Sequence, residues 1–179
     1  MSYQAGTTRV SFDRLATEKS LAWKTAPVTT PALQRIVDLF GGAPKDLRTQ
    51  ALLEYSRKVP PLPERYAEHP ELMEAVPECQ TPFFLATEID DDDRVHLHFK
   101  VPAEAPTTRG FAGILSAGLE GATATEVLET PNDFCTKMGL AEVISSLRLR
   151  GMSAILARLK HQVGRQVAAR QAAAAAPAE

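Results

Sequence analysis

An α+β fold, a small antiparallel sheet packed with flanking helices, is what this chain predicts, and three patterns predict it. Val95, Leu97, Phe99 and Val101 alternate with Arg94, His96, His98 and Lys100, the period of a half-buried strand. Four consecutive aspartates, Asp90 to Asp93, separate that strand from an aromatic-containing segment at 83–89, so the two read as a hairpin at about 83–101. On either side, apolar residues recur at the spacing of amphipathic helices.

Taken in order, the first helix begins at Thr30-Pro31, an N-cap followed by a first-turn proline. Leu33, Ile36, Val37 and Phe40 form its apolar face, and Gly41-Gly42 supplies the stop. A second helix is expected at about 44–58, with Leu47, Ala51, Leu52 and Tyr55 inward. Pro60, Pro61, Pro63, Pro70, Pro77 and Pro82 then make a constrained, mostly irregular stretch, with at most a short helix near 70–75. After the hairpin, Thr107 and Thr108 precede Phe111, Ile114, Leu115 and Leu119, with Gly121 as the stop. Thr123 to Glu126 has capping-box form. A break at Pro131 leads to a short piece with Phe134, Cys135 and Met138. The last helix starts at Ser145 or Ser146 and carries Met152, Ile155, Leu156, Leu159 and Val163 on one face. The expected organisation is a loose arm at 1–28, one domain at 29–166 and an alanine-rich tail at 167–179, into which the last helix can run and fray.

Composition narrows the function. The chain has 179 residues, 44% hydrophobic and 23% charged, the balance of a single globular domain. Twenty Lys+Arg against 22 Asp+Glu leave a net charge of −2, which gives no general attraction to nucleic acid or to an anionic membrane. No stretch is apolar enough for a membrane span or a secretory signal. Two cysteines, Cys79 and Cys135, exclude a disulfide-dense scaffold and a four-cysteine metal site, and fit a reducing cytoplasm.

Few residues are then left to carry chemistry. Cys79 sits in a proline-bounded loop leading into a strand, where reactive groups are presented; a buried, inert thiol is the competing reading. Cys135, spaced between Phe134 and Met138, reads as core. His96 and His98 share a strand face and could chelate a metal, but Arg94 and Lys100 flank them, so a basic strip is the preferred reading. His69 and His161 have no partner at a recognisable spacing. No phosphate-binding glycine loop, nucleophile elbow or zinc-protease motif is present, and the aspartate run lacks the glycine and distal glutamate of a calcium loop. Arg148 and Arg150 lie near the start of the last helix, where its dipole disfavours them; function or plain surface charge accounts for that.

The order of these features resembles the SufE family, sulfur acceptors that work with cysteine desulfurases. The run Leu-Leu-Glu-Tyr-Ser-Arg-Lys-Val-Pro-Pro-Leu-Pro at 52–63 is similar to that family's helix and proline exit. Val76-Pro77-Glu78-Cys79-Gln80-Thr81 resembles its active-site loop, usually Val-x-Gly-Cys-x-Ser. Arg109-Gly110 matches a Lys/Arg-Gly pair, and Arg148-x-x-Gly151-Met152 matches a last-helix signature. The likeness spans about residues 30–165. It implies a compact fold shared with iron–sulfur scaffold proteins, with Cys79 as the nucleophile that accepts a persulfide sulfur. It implies Arg148 near that cysteine, with Glu104, Gln80 and Glu78 as contact residues for the sulfur or the partner. It also implies a SufS-like desulfurase, which brings pyridoxal phosphate, as partner, and an iron–sulfur scaffold as recipient. The chain itself would need no cofactor and no metal, and would act as a sulfur-transfer accessory rather than a stand-alone enzyme. Glu78 stands where the family usually has glycine, and its charge is expected to oppose ionisation of the thiol beside it. Thr81 and Pro82 are further departures. Two other classes remain open on the residues alone: a thiol redox protein using Cys79 and Cys135, and an adaptor that binds a desulfurase without taking sulfur.

Overall fold

Thr30 opens the first helix of the computed structural model, which describes residues 30–175; the expected arm at 1–28, with Trp23, and residues 176–179 lie outside the described residues. The Thr30 hydroxyl accepts the Leu33 N–H at 3.0 Å and donates to Gly118 O at 2.6 Å, so one side chain caps the helix and ties it to a distant one. Helix α1 runs Pro31–Gly42 and buries Leu33, Ile36, Val37 and Phe40, as its spacing predicts. Helix α2, Lys45–Ser56, buries Leu52 but leaves Leu47 half exposed, against expectation. The proline-rich stretch is more ordered than expected. It forms a short helix α3 at Glu64–Glu68, a 3-10 turn at Pro70–Leu72 and a two-residue strand β1 at Glu74–Ala75.

The hairpin is present as strands β2, Phe84–Ile89, and β3, Val95–Lys100, joined by the aspartate turn. With β1 they form a three-stranded antiparallel sheet in the order β1-β2-β3. Leu85, Thr87 and Ile89 pair with Phe99, Leu97 and Val95 on the face toward the main core. Ala86 and Glu88 pair with His98 and His96 on the other face, where Tyr66 and Met73 make a smaller cluster with Ala86.

That second face corrects the reading of a basic strip. His96 lies between Glu120 at 2.8 Å and Asp90 at 3.1 Å, and His98 faces Glu88 at 3.6 Å. The bonds to Glu120 and then Asp90 hold the His96 pKa above its ordinary value. The partners come from the hairpin turn, from β2 and from the residue after the next helix. Among the described residues, no group of three His, Cys, Asp or Glu side chains is arranged to hold a metal.

Helix α4, Pro106–Leu119, is the central element and is buried from Gly110 to Ser116. It packs against α1 and α2. A Cβ on Gly113 would lie 1.9 Å from Tyr55 O, and one on Gly110 would lie 2.4 Å from Leu52 O, so the α2 backbone rests directly on α4. Arg109 donates to Ser56 O and Val101 O at 3.0 and 2.9 Å, closing the end of α2 onto the end of β3. The capping box at Thr123 and Glu126 opens α5, Ala124–Glu129. The short α6, Phe134–Lys137, places Phe134 and Cys135 in the core. No helix among the described residues is long and apolar enough to cross a membrane.

Helix α7, Ser146–Ala175, carries the predicted buried stripe Met152, Ile155, Leu156, Leu159 and Val163. It also carries a polar stripe that the sequence reading missed. Gln162 binds Thr87 N at 2.9 Å and Leu85 O at 3.3 Å. Gln166 binds Ile89 N at 3.2 Å and Thr87 O at 2.9 Å. Arg170 donates to Ile89 O, and to Asp90 O at 2.8 Å. A four-residue step along a helix rises about 6 Å, and a two-residue step along a strand covers about 6.7 Å. The two elements therefore keep pace, and α7 side chains satisfy the β2 edge beyond the short β1. The helix continues without interruption to Ala175.

Candidate functional site

Between β1 and β2 the chain makes a loop closed at its base by Val76 N donating to Phe83 O at 2.9 Å. Within it the Cys79 N–H turns back onto Val76 O at 3.1 Å, which brings the thiol to the face of α7. Cys79 Sγ stands 3.8 Å from Gly151 O, a long contact. The approach depends on glycine, since a Cβ at position 151 would lie 3.3 Å from Sγ. The sequence Arg148-x-x-Gly151-Met152 is thus the floor on which the loop sits.

A recess of about 60 Å³ opens beside the thiol. The loop contributes Cys79, Gln80 and Thr81 to it, α7 contributes Leu147, Arg148, Gly151 and Met152, and α4 contributes Thr108. Arg148 and Gln80 are therefore brought to Cys79, as expected. Arg148 is exposed, and its guanidinium has no acid partner among the described residues. Ser145 caps the helix here, with its hydroxyl accepting the Arg148 N–H at 3.4 Å. Glu104 is exposed in the loop between β3 and α4 and does not line the recess.

Glu78 does not line the recess, and its carboxylate is held by Arg158. Arg158 of α7 binds its two carboxylate oxygens at 2.9 and 3.2 Å through one guanidinium nitrogen, and reaches Glu74 at 2.9 Å through another. The Arg158 hydrogen bond holds the Glu78 pKa below its ordinary value. Gln162 does the same for Glu74 from the other side. Arg158 was not singled out in the sequence; its position four residues before Gln162 on the polar stripe is the signal that finds it.

The thiol is half-buried, and burial first, then the Glu78 charge, push its pKa up to about 11; the Arg158 charge opposes this. Cys79 thus holds its proton at rest, in a recess also lined by Arg148, which has no acid partner among the described residues. Cys135 is buried in α6, its pKa is pushed up to about 12 by burial, and it does not line the recess. Both cysteines are free.

Residues 34–163 match the family model of SufE, described as an Fe-S metabolism associated domain. The chain is similar to an uncharacterized SufE-like protein of Mycobacterium tuberculosis, 51% identical over 140 residues, which is 78% of this chain and 96% of that one. It is more distantly similar to the cysteine desulfuration protein SufE of Plasmodium vivax, 25% identical over 73% of this chain and 52% of that one. Among solved structures, a hypothetical protein from Thermus thermophilus superposes with a TM-score of 0.70 at 45% identity, over 78% of this chain and 98% of that one.

Proposed function

The chain belongs to the SufE family, and on that premise we propose that Cys79 accepts sulfur from the persulfide of a SufS-like cysteine desulfurase and passes it toward iron–sulfur cluster assembly. The observation that carries this is a small recess lined by both Cys79 and Arg148, whose guanidinium has no acid partner among the described residues.

The chemistry needs one thiol. Cys79 loses its proton, and its sulfur attacks the terminal sulfur of the partner's persulfide. A new S–S bond forms on Cys79, the partner's S–S bond breaks, and the departing cysteine takes up a proton. The net change converts one persulfide and one thiol into one thiol and one persulfide, with no oxidant or reductant consumed. Pyridoxal phosphate chemistry belongs to the desulfurase. A persulfide is a stronger acid than a thiol, so the transferred group is an anion at neutral pH, and Arg148, which lines the same recess, would be the cation that holds it. Because the resting thiol is half-buried and protonated, contact with the partner must both uncover and ionise it. Removing sulfur from the partner clears its active cysteine, which accounts for stimulation of the desulfurase. The free thiols suit a reducing cytoplasm.

Intact mass spectrometry after incubation with a desulfurase and cysteine tests the proposal. Cys79 gains one sulfur, about 32 Da, and Cys79→Ser gains none. Sulfur appearing on Cys135 instead would overturn the assignment, as would full stimulation of the desulfurase by Cys79→Ser, which would favour a passive adaptor. The chain is also expected to purify without metal or chromophore, checked by elemental analysis and absorbance.

A further inference from the structure

The thiol of Cys79 packs at the edge of the main core but has little hydrogen bonding of its own to hold it in place. Among the described residues, its long contact with Gly151 O is the one hydrogen bond joining residues 79–82 to α7. The firm tie lies one residue earlier, at Glu78, and it is made by Arg158. Arg158 stands at the loop end of the polar stripe, one helical turn before Gln162. Along that stripe Gln162, Gln166 and Arg170 reach the backbone of β2, whereas Arg158 reaches only side chains. The Arg158, Glu78 and Glu74 side chains are 28%, 48% and 30% exposed, so the tie is wet and open to exchange.

We propose that Arg158 is the positioning residue of the acceptor loop: its guanidinium, forked between Glu74 and Glu78, holds Cys79 down against Gly151, and releasing it exposes the thiol. Glu74 is itself fixed by Gln162, so Arg158 joins a rigid point of the sheet to the loop. Pro77 stiffens the backbone between Glu74 and Glu78, and Glu78 adjoins Cys79 directly, so a pull on Glu78 is transmitted to Cys79. The inference rests on the reading of Cys79 as acceptor for its functional meaning, but its geometry is independent of that reading.

Two effects of losing Arg158 oppose each other. Its cation favours the thiolate, so removal slows reaction of Cys79. Its fork holds the loop shut, so removal speeds it. Burial is the first cause of the thiol's high pKa and the Arg158 charge the last, so release of the loop is the larger effect.

The test is the rate at which iodoacetamide alkylates Cys79 in the full chain, followed by peptide mass mapping. Arg158→Gln raises the rate by about three- to tenfold at low salt, a range set by the strength of partly exposed ion pairs. Arg158→Lys, which keeps the charge and loses the fork, falls between Arg158→Gln and the parent. Added salt speeds the parent toward the Arg158→Gln rate. Amide hydrogen exchange rises at 76–81 in Arg158→Gln and stays unchanged in α4, which separates a released loop from a weakened fold. An alkylation rate equal to or below the parent's would overturn the proposal, as would faster exchange spread equally through α4. Faster alkylation with no sulfur gained from a desulfurase would leave the latch standing and remove the acceptor reading.

Discussion

Cys79 and Cys135 are both protonated at rest, at about 11 and about 12, and burial is the first cause in each. Their surroundings otherwise share little. Cys135 sits on a helix inside the main core, with Phe134 and Met138 fully buried around it. Cys79 sits on a loop held to α7 by side chains, and a recess opens beside it. The resting pKa therefore does not tell the reactive thiol from the inert one. What differs is how much structure must move before the sulfur meets solvent: a few exposed contacts for Cys79, a core helix for Cys135.

Labelling should show this difference most strongly. A maleimide in native buffer labels Cys79 at least about a hundredfold faster than Cys135, because local openings are far more populated than openings of the core. In denaturant the two rates converge. Comparable native rates would erase the comparison.

Stability should show the reverse order. Cys135→Ser places a hydroxyl in an apolar site and costs about 1–3 kcal/mol. Cys79→Ser costs less, about 0.5–1 kcal/mol, because its thiol is only half-buried at the edge of the core. Urea midpoints of the two variants decide it.

Alkaline pH sharpens the point. The unfolded Cys135 thiol ionises near its ordinary value of 9.0, while the folded one holds its proton to about 12. Above the unfolded value the native state binds more protons, so stability falls as pH rises through that window. The slope contributed approaches about 1.4 kcal/mol per pH unit. Cys135→Ala should flatten the decline measured between pH 9 and 10.5; an unchanged slope would count against a buried, protonated thiol.

Arg148→Ala tests the reactive side alone. It should lower sulfur acceptance at limiting desulfurase by about three- to tenfold, the scale of one charge contact at an interface. The unfolding midpoint should stay close to the parent's, since the side chain is exposed. Equal acceptance by variant and parent would remove Arg148 from the site. Glu78→Gln closes the series. Loss of the carboxylate and of its Arg158 tie both favour reaction at Cys79, so alkylation should rise at least as much as in Arg158→Gln at low salt, and less at high salt.

Local patterns in the chain were legible in advance. Thr30-Pro31, the alternation through β3, the capping box and the apolar face of α7 each encode an element within a few residues, and each forms as read. The Cys79 loop, Gln80 and Arg148 also came together as their motifs imply. What escaped is what distant residues decide. Strand β1 exists because Glu74 and Ala75 find β2, and two residues carry no period of their own. His96 and His98 read as part of a basic strip until Glu120, Asp90 and Glu88 are placed beside them. Arg158 belongs to no motif, and it acquires a role only where the fold brings Glu74 and Glu78 within reach. Leu47 shows the opposite error, an apolar residue at core spacing on a helix whose inner face is elsewhere.

The row of Gln162, Gln166 and Arg170 along β2 has a consequence for how the protein behaves in a crowded solution. A strand edge with free amides and carbonyls is a template on which another chain can add a strand. Here α7 occupies those groups from Leu85 to Asp90 with side chains, filling the place of a longer β1. The guard extends as far as Arg170, inside the segment that composition alone marks as an alanine-rich tail. Shortening the chain to end before Gln166 would uncover the far half of β2 while leaving the Cys79 recess whole. The first sign of that loss would be self-association, not failure of the thiol.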